Sequence, residues 1–209
     1  MYLKYLFAIT LLQFTLLTAG AQSNLSKAVS YFRVDPFRGN FSAFVNALVS
    51  DTALLEKQML KQTDTTGFYL RGRYEVFNPF SMNANRVDMI FYESNNYKQS
   101  GFWANYFTYQ LTALFPDNPR SRDIVKKDFK KLLKTLRRSL PYVRTIDLGG
   151  KQGIEEGKIA NLSDNDAQVD PVLISWQTMT QSDQLGLTVI LRIKRVGNEI
   201  FPVNAPIWW

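Results

Sequence analysis

The chain has 209 residues, 45% of them hydrophobic and 21% charged, with a formal net charge of +7, a balance that gives a folded domain and excludes a disordered one. It contains no Cys and no His, which removes disulfides, thiolate and imidazole metal sites, cysteine nucleophiles and histidine acid/base chemistry. At roughly 150 residues per domain the length gives one domain, large enough to bury a core without covalent staples.

Residues 1–21 read as a secretory signal. Lys4 supplies the basic start, Tyr5 to Leu17 carries no charge, and Ala19-Gly20-Ala21 is a small-x-small cleavage pattern before Gln22. Cleavage would leave residues 22–209 as a single exported domain, periplasmic or extracellular. The rival reading is an uncleaved anchor, since the 17 uncharged residues from Tyr5 to Ala21 approach the length of a bilayer span.

Beyond a short polar stretch around Ser23 to Lys27, Asn40 is placed to cap a helix with Phe41, Phe44, Val45 and Leu48 on one face, and Ser50-Asp51 restarts it as a second helix through Leu55, Met59 and Leu60. From Gly67 to Phe77 the period changes to two, with Phe68, Leu70, Tyr74 and Val76 opposite Tyr69, Arg71, Arg73 and Glu75, and a second strand runs from Arg86 to Glu93. Residues 102–115 satisfy both periods, so helix and strand stay open there. A helix from Ser121 to Leu140 follows, its apolar stripe formed by Val125, Phe129, Leu132, Leu133, Leu136 and Leu140, with Asp123 early and Arg137-Arg138 late, as the helix dipole favours. Strands are predicted at 142–148, 154–162, 172–180 and 185–196. In the last, Leu187, Val189, Leu191 and Ile193 face inward while Thr188, Arg192 and Lys194 face water.

These elements predict an α+β fold: a curved antiparallel sheet of five to seven strands with two or three helices on one face. Their order resembles the nuclear-transport-factor-2-like and cystatin-like rolls, a resemblance of element order, which implies a roll.

Without Lys4 the exported chain keeps a formal excess of +6. Ten bases lie between Arg120 and Arg144, against Asp123 and Asp128, so this one segment holds the whole excess. Lys126, Lys127, Lys130, Lys131, Lys134, Arg137 and Arg138 form a cationic stripe suited to a polyanion: an acidic protein, an anionic envelope component or a membrane surface, with nucleic acid disfavoured by export. A solvated helix face is the alternative reading of the same charges. Of 29 aromatic residues, 14 fall between Phe68 and Phe115. Core packing accounts for them, and the alternative is a stacking cleft for a glycan or apolar ligand that would use Tyr69, Arg71, Arg73, Trp103 and Tyr106.

Chemistry has only carboxylates to work with. Glu155 and Glu156 are adjacent, so on a strand they face opposite ways, and a glycan hydrolase would need a distant partner such as Asp88 or Asp147. Asp164-Asn165-Asp166 with Asp170 lacks the Gly and the ligand that a calcium loop requires at Val169 and Gln168. No metal or other cofactor is expected. The C-terminus ends in two Trp, Trp208 and Trp209, which need cover from this chain, a second copy or a partner. The sequence therefore predicts a non-catalytic exported binding or assembly module that uses the basic helix and the aromatic tail. A ligand-binding roll and a carboxylate hydrolase rank behind it.

Overall fold

The computed structural model describes residues 24–60, 67–75, 83–94, 104–149, 154–165, 169–179 and 183–204. Residues 1–21, expected to be a signal segment, and Trp103, Trp208 and Trp209 lie outside the described residues. In chain order the elements are α1 (residues 24–29), α2 (Phe41–Ser50), β1 (Leu55–Leu60), β2 (Tyr69–Tyr74), β3 (Arg86–Glu93), β4 (Ala104–Pro116), α3 (Pro119–Leu136), β5 (Tyr142–Asp147), β6 (Ile154–Ser163), β7 (Val172–Met179), β8 (Gln184–Val196) and β9 (Glu199–Pro202).

The fold is α+β. The strands form one antiparallel sheet in the order β1-β2-β3-β4-β8-β7-β6-β5, with β9 folded back onto β8. β4 and β8 are its spine, paired without interruption from Ala104↔Val196 to Pro116↔Gln184. Alternation along these strands sends Tyr109, Leu111 and Ala113 of β4, and Leu187, Val189 and Leu191 of β8, to a single face where all are buried. The described helices cover that face. In α2, the Asn40 carboxamide oxygen accepts from the Ala43 N–H at 3.0 Å, and Phe41, Phe44 and Leu48 point inward. Phe44 meets Phe91 and Tyr109 edge-on, with ring centroids 5.2 and 5.4 Å away, the geometry that ring quadrupoles favour. α3 begins at Pro119, a residue that costs nothing where no N–H is needed, and Asn118 accepts from the Ser121 N–H at 2.9 Å. Its Val125, Phe129, Leu132 and Leu136 are buried, and it packs on β7 and β8.

Several sequence expectations change. Among the described residues the sheet has nine strands, not five to seven, because β1 and β9 join it. Residues 55–60 pair with β2 and do not form a second helix. The stretch read as polar near residue 24 is helical, with Leu25, Ala28 and Val29 in the core. The ambiguous segment is a strand, β4, since every second residue from Phe107 to Phe115 is buried. α3 ends at Leu136, and its N-terminal end rests on the Asn118 cap with no acidic residue in the first turn. Residues 199–202, beyond the last predicted strand, turn back at Gly197 (φ +60°) to form β9.

Because Phe44 is 1% exposed and packed on Phe91 of β3 and Tyr109 of β4, Phe44→Ala should lower unfolding stability by about 3–5 kcal/mol. Val49, on the same helix and 38% exposed, should tolerate alanine within about 0.5 kcal/mol. Denaturant titration of both variants checks the assignment of the two faces.

Candidate functional site

Seating the apolar stripe of α3 on the sheet decides which bases face outward. At 100° and 1.5 Å per residue, Arg120, Lys127, Lys130, Lys131 and Lys134 fall within an arc of about 100° and extend about 21 Å along the axis, and Arg137 and Arg138 follow in the cap and turn at the helix's C-terminal end. All seven are exposed, and among the described residues none has a carboxylate within ion-pair distance. Asp123 is exposed within the same arc. Asp128 lies about 60° beyond that arc, where burial raises its carboxyl above the ordinary value while Lys131 and Lys127 pull it back. Toward the C-terminal end, Lys130, Lys134, Arg137 and Arg138 surround Leu133 in a shallow groove of about 430 Å³. The groove thus has a cationic rim and an apolar floor.

Other bases of the segment have structural partners. Lys126 is directed at the sheet, its Nζ 2.7 Å from Glu156 Oε1 and 5.0 Å from the centre of the Trp176 ring, so it fixes α3 to β6 and β7 and does not contribute to the outer face. Arg122 makes a two-pronged pair with Asp117 at 2.6 and 2.9 Å, and Arg144 reaches Asp170 at 2.6 Å. Of the bases expected to bind a partner, the structure brings Lys127, Lys130, Lys131, Lys134, Arg137 and Arg138 onto one outward surface and turns Lys126 inward. Trp208 and Trp209, the other expected partner contacts, lie outside the described residues.

The residues expected to bind a ligand share the helix-free face of the sheet without converging. Tyr69, Arg71 and Arg73 are on β2, where Arg71 donates to Gln58 Oε1 at 2.7 Å and Arg73 pairs with Glu56 at 2.8 Å, both toward β1. Tyr106 is two strands away, directly across from Lys194 of β8. Trp103 lies outside the described residues. The sequence places Lys194 on a wet face, yet it is 4% exposed, and desolvation lowers its ammonium to a pKa of about 8. The cause is β9, whose Phe201 lies across from Lys194 on the side opposite Tyr106. The sequence signal for this was the glycine at 197 followed by the alternation of Ile200 and Pro202.

Of the carboxylates singled out for chemistry, three are held in ion pairs, Glu156 with Lys126, Asp88 with Arg86 at 3.1 Å, and Asp147 with Lys158 at 3.2 Å, and the Glu155 side chain lies outside the described residues. Asp164 accepts from Asn24 at 3.3 Å and Asn204 at 2.7 Å, tying the two ends of the described chain together. Among the described residues no group of three Asp or Glu forms a metal cluster, and no helix is long and apolar enough to cross a membrane. Comparison with protein families, curated proteins and solved structures found no match.

Lys194 and the buried tyrosines give opposite pH dependences. A lysine whose folded pKa is lowered binds fewer protons folded than unfolded, so stability rises with pH from about 8 toward the ordinary lysine value. Burial raises Tyr74 and Tyr109 above 10.0. Their folded forms keep a proton that the unfolded chain loses, and stability falls as pH climbs beyond 10. The denaturation midpoint should therefore rise between pH 8 and 10 and fall above it. Lys194→Met should remove the rise and keep the fall.

Proposed function

We propose that this chain is a non-catalytic exported module that binds an anionic partner, an acidic protein or envelope polymer, through the outward face of α3. The observation that carries the reading is the row of seven exposed bases on α3 and at its C-terminal end, none with a carboxylate within ion-pair distance among the described residues, closing on the groove around Leu133. Like charges at i, i+3 and i, i+4, as in Lys127/Lys130, Lys127/Lys131 and Lys130/Lys134, oppose helix formation by about 0.2–0.5 kcal/mol per pair. A helix selected only for solubility would intersperse acids to avoid that cost. Support for export is the basic, uncharged and small-x-small pattern of residues 1–21 together with the lack of cysteine. Trp208 and Trp209 join the proposal as a second contact, with a second copy of the chain as another candidate to cover them. The finer fold reading, a nuclear-transport-factor-2-like or cystatin-like roll, rests on element order and is supported by the confinement of the described helices to one sheet face.

A second reading places a small ligand on the helix-free face. It is favoured by Lys194 lying between Tyr106 and Phe201, a cation flanked by two aromatic side chains.

Lys130→Glu, Lys134→Glu and Arg138→Glu together test the leading reading against a fluorescent polyglutamate peptide. The wild-type protein should bind with a steep salt dependence. The triple variant should lose about tenfold or more in affinity and show a flatter salt slope. Its melting should stay near that of the wild type, since exposed charges contribute about 0–1 kcal/mol each to folding. Equal binding by the two proteins at low salt would return α3 to an ordinary solvated helix.

A further inference from the structure

We propose that the free edge of β5 receives an extended segment of the anionic partner, which adds to the sheet as a further strand while its acidic residues continue onto the end of α3. The proposal rests on the anionic-partner reading and specifies its mode of attachment.

The two ends of the sheet are not alike. β1 is blunted: its register slips between Leu55 and Gln58, Glu56 has φ +51°, and Lys57 lies within it, all features that discourage edge pairing. β5 has neither a register slip nor a positive φ, and its charged residues, Arg144 and Asp147, are held by Asp170 and Lys158. It pairs with β6 in unbroken register from Tyr142↔Ser163 to Asp147↔Lys158, and among the described residues nothing pairs with its other side. The Leu148 N–H donates to the Gly157 carbonyl at 2.9 Å, in continuation of that register. Antiparallel alternation then turns the backbone groups of Tyr142, Arg144 and Ile146 toward β6 and those of Val143, Thr145 and Asp147 outward. The outward groups are the donors and acceptors that an added strand would use.

The side chains specify the segment. Tyr142 and Ile146 are 53% and 48% exposed and share the helix-free face, so the incoming strand must present apolar side chains to that face. Arg138 precedes Tyr142 by four residues, a chain distance of at most about 14 Å, so a strand on β5 that runs past Tyr142 comes within reach of Arg137, Arg138 and Lys134. Charge complementarity therefore calls for Asp or Glu at that end of the segment.

The test uses two fluorescent peptides against the full exported chain, one with a run of glutamates followed by alternating valine and threonine, the other of glutamate alone. Thr145→Pro removes an outward N–H without touching the β5–β6 ladder, and Ile146→Lys is an independent edge variant that keeps the backbone. Both should weaken the mixed peptide by about tenfold and leave the glutamate peptide unchanged, while unaltered circular dichroism confirms the fold. Equal binding of the mixed peptide by wild type and both variants would overturn edge addition. If the glutamate peptide then still responds to charge reversal on α3, the anionic-partner reading survives without it. A wild-type protein that self-associates, and becomes monomeric with Thr145→Pro, would assign the edge to a second copy and also overturn the proposal.

Discussion

The outward chemistry of this protein depends on how α3 sits on the sheet. Val125, Phe129, Leu132 and Leu136 form one apolar stripe, and burying it leaves a single rotational setting for the helix. Lys126 locks that setting from the side, held by the Glu156 carboxylate and the face of Trp176. The pair is partly exposed, yet an ion pair reinforced by an aromatic ring is directional in a way that hydrophobic burial is not. Once α3 is fixed, Arg120, Lys127, Lys130, Lys131 and Lys134 point outward.

The sheet imposes the complementary constraint. Its strands alternate cleanly, so the helices gather on the face carrying Phe91, Tyr109, Leu111 and Val189. The opposite face mixes Thr112 and Thr188, whose hydroxyls lie 3.1 Å apart, with Ile90, Ile190, Arg192 and Lys194. The outward charge of α3 and the β5 edge, unpaired among the described residues, meet where α3 hands over to the sheet through Leu140 and Pro141. One short connection thus joins the two surfaces proposed for recognition.

Much of this was legible in the sequence because the deciding signals were local. The cap at Asn40, the stripe of α3, the bounds of β3 and the alternation of β8 need only neighbours a few residues away. The failures have physical causes as well. Leu55, Met59 and Leu60 have helical spacing, and only pairing with β2, interrupted by a bulge at Glu56, makes them a strand. The core positions Leu25, Ala28, Val29 and Phe32 follow a helical i, i+3, i+4, i+7 pattern, diluted by the Ser and Lys residues between them. β4 was ambiguous because Tyr106 and Leu114 add apolar surface to its second face, which masks the period of two. The burial of Lys194 was beyond local reading, since it depends on β9 returning to place Phe201 across from it. The inward turn of Lys126 required knowing that Glu156 and Trp176 come from two different strands.

Amine-reactive footprinting near neutral pH, read by mass spectrometry, tests the orientation of α3 and its role together. With α3 seated as described, Lys127, Lys130, Lys131 and Lys134 react rapidly and become protected when polyglutamate is added, while Lys126 reacts slowly in both conditions. Rapid labelling of Lys126 at the rate of Lys130, or full reactivity of the outer lysines in the presence of saturating polyglutamate, would contradict the account.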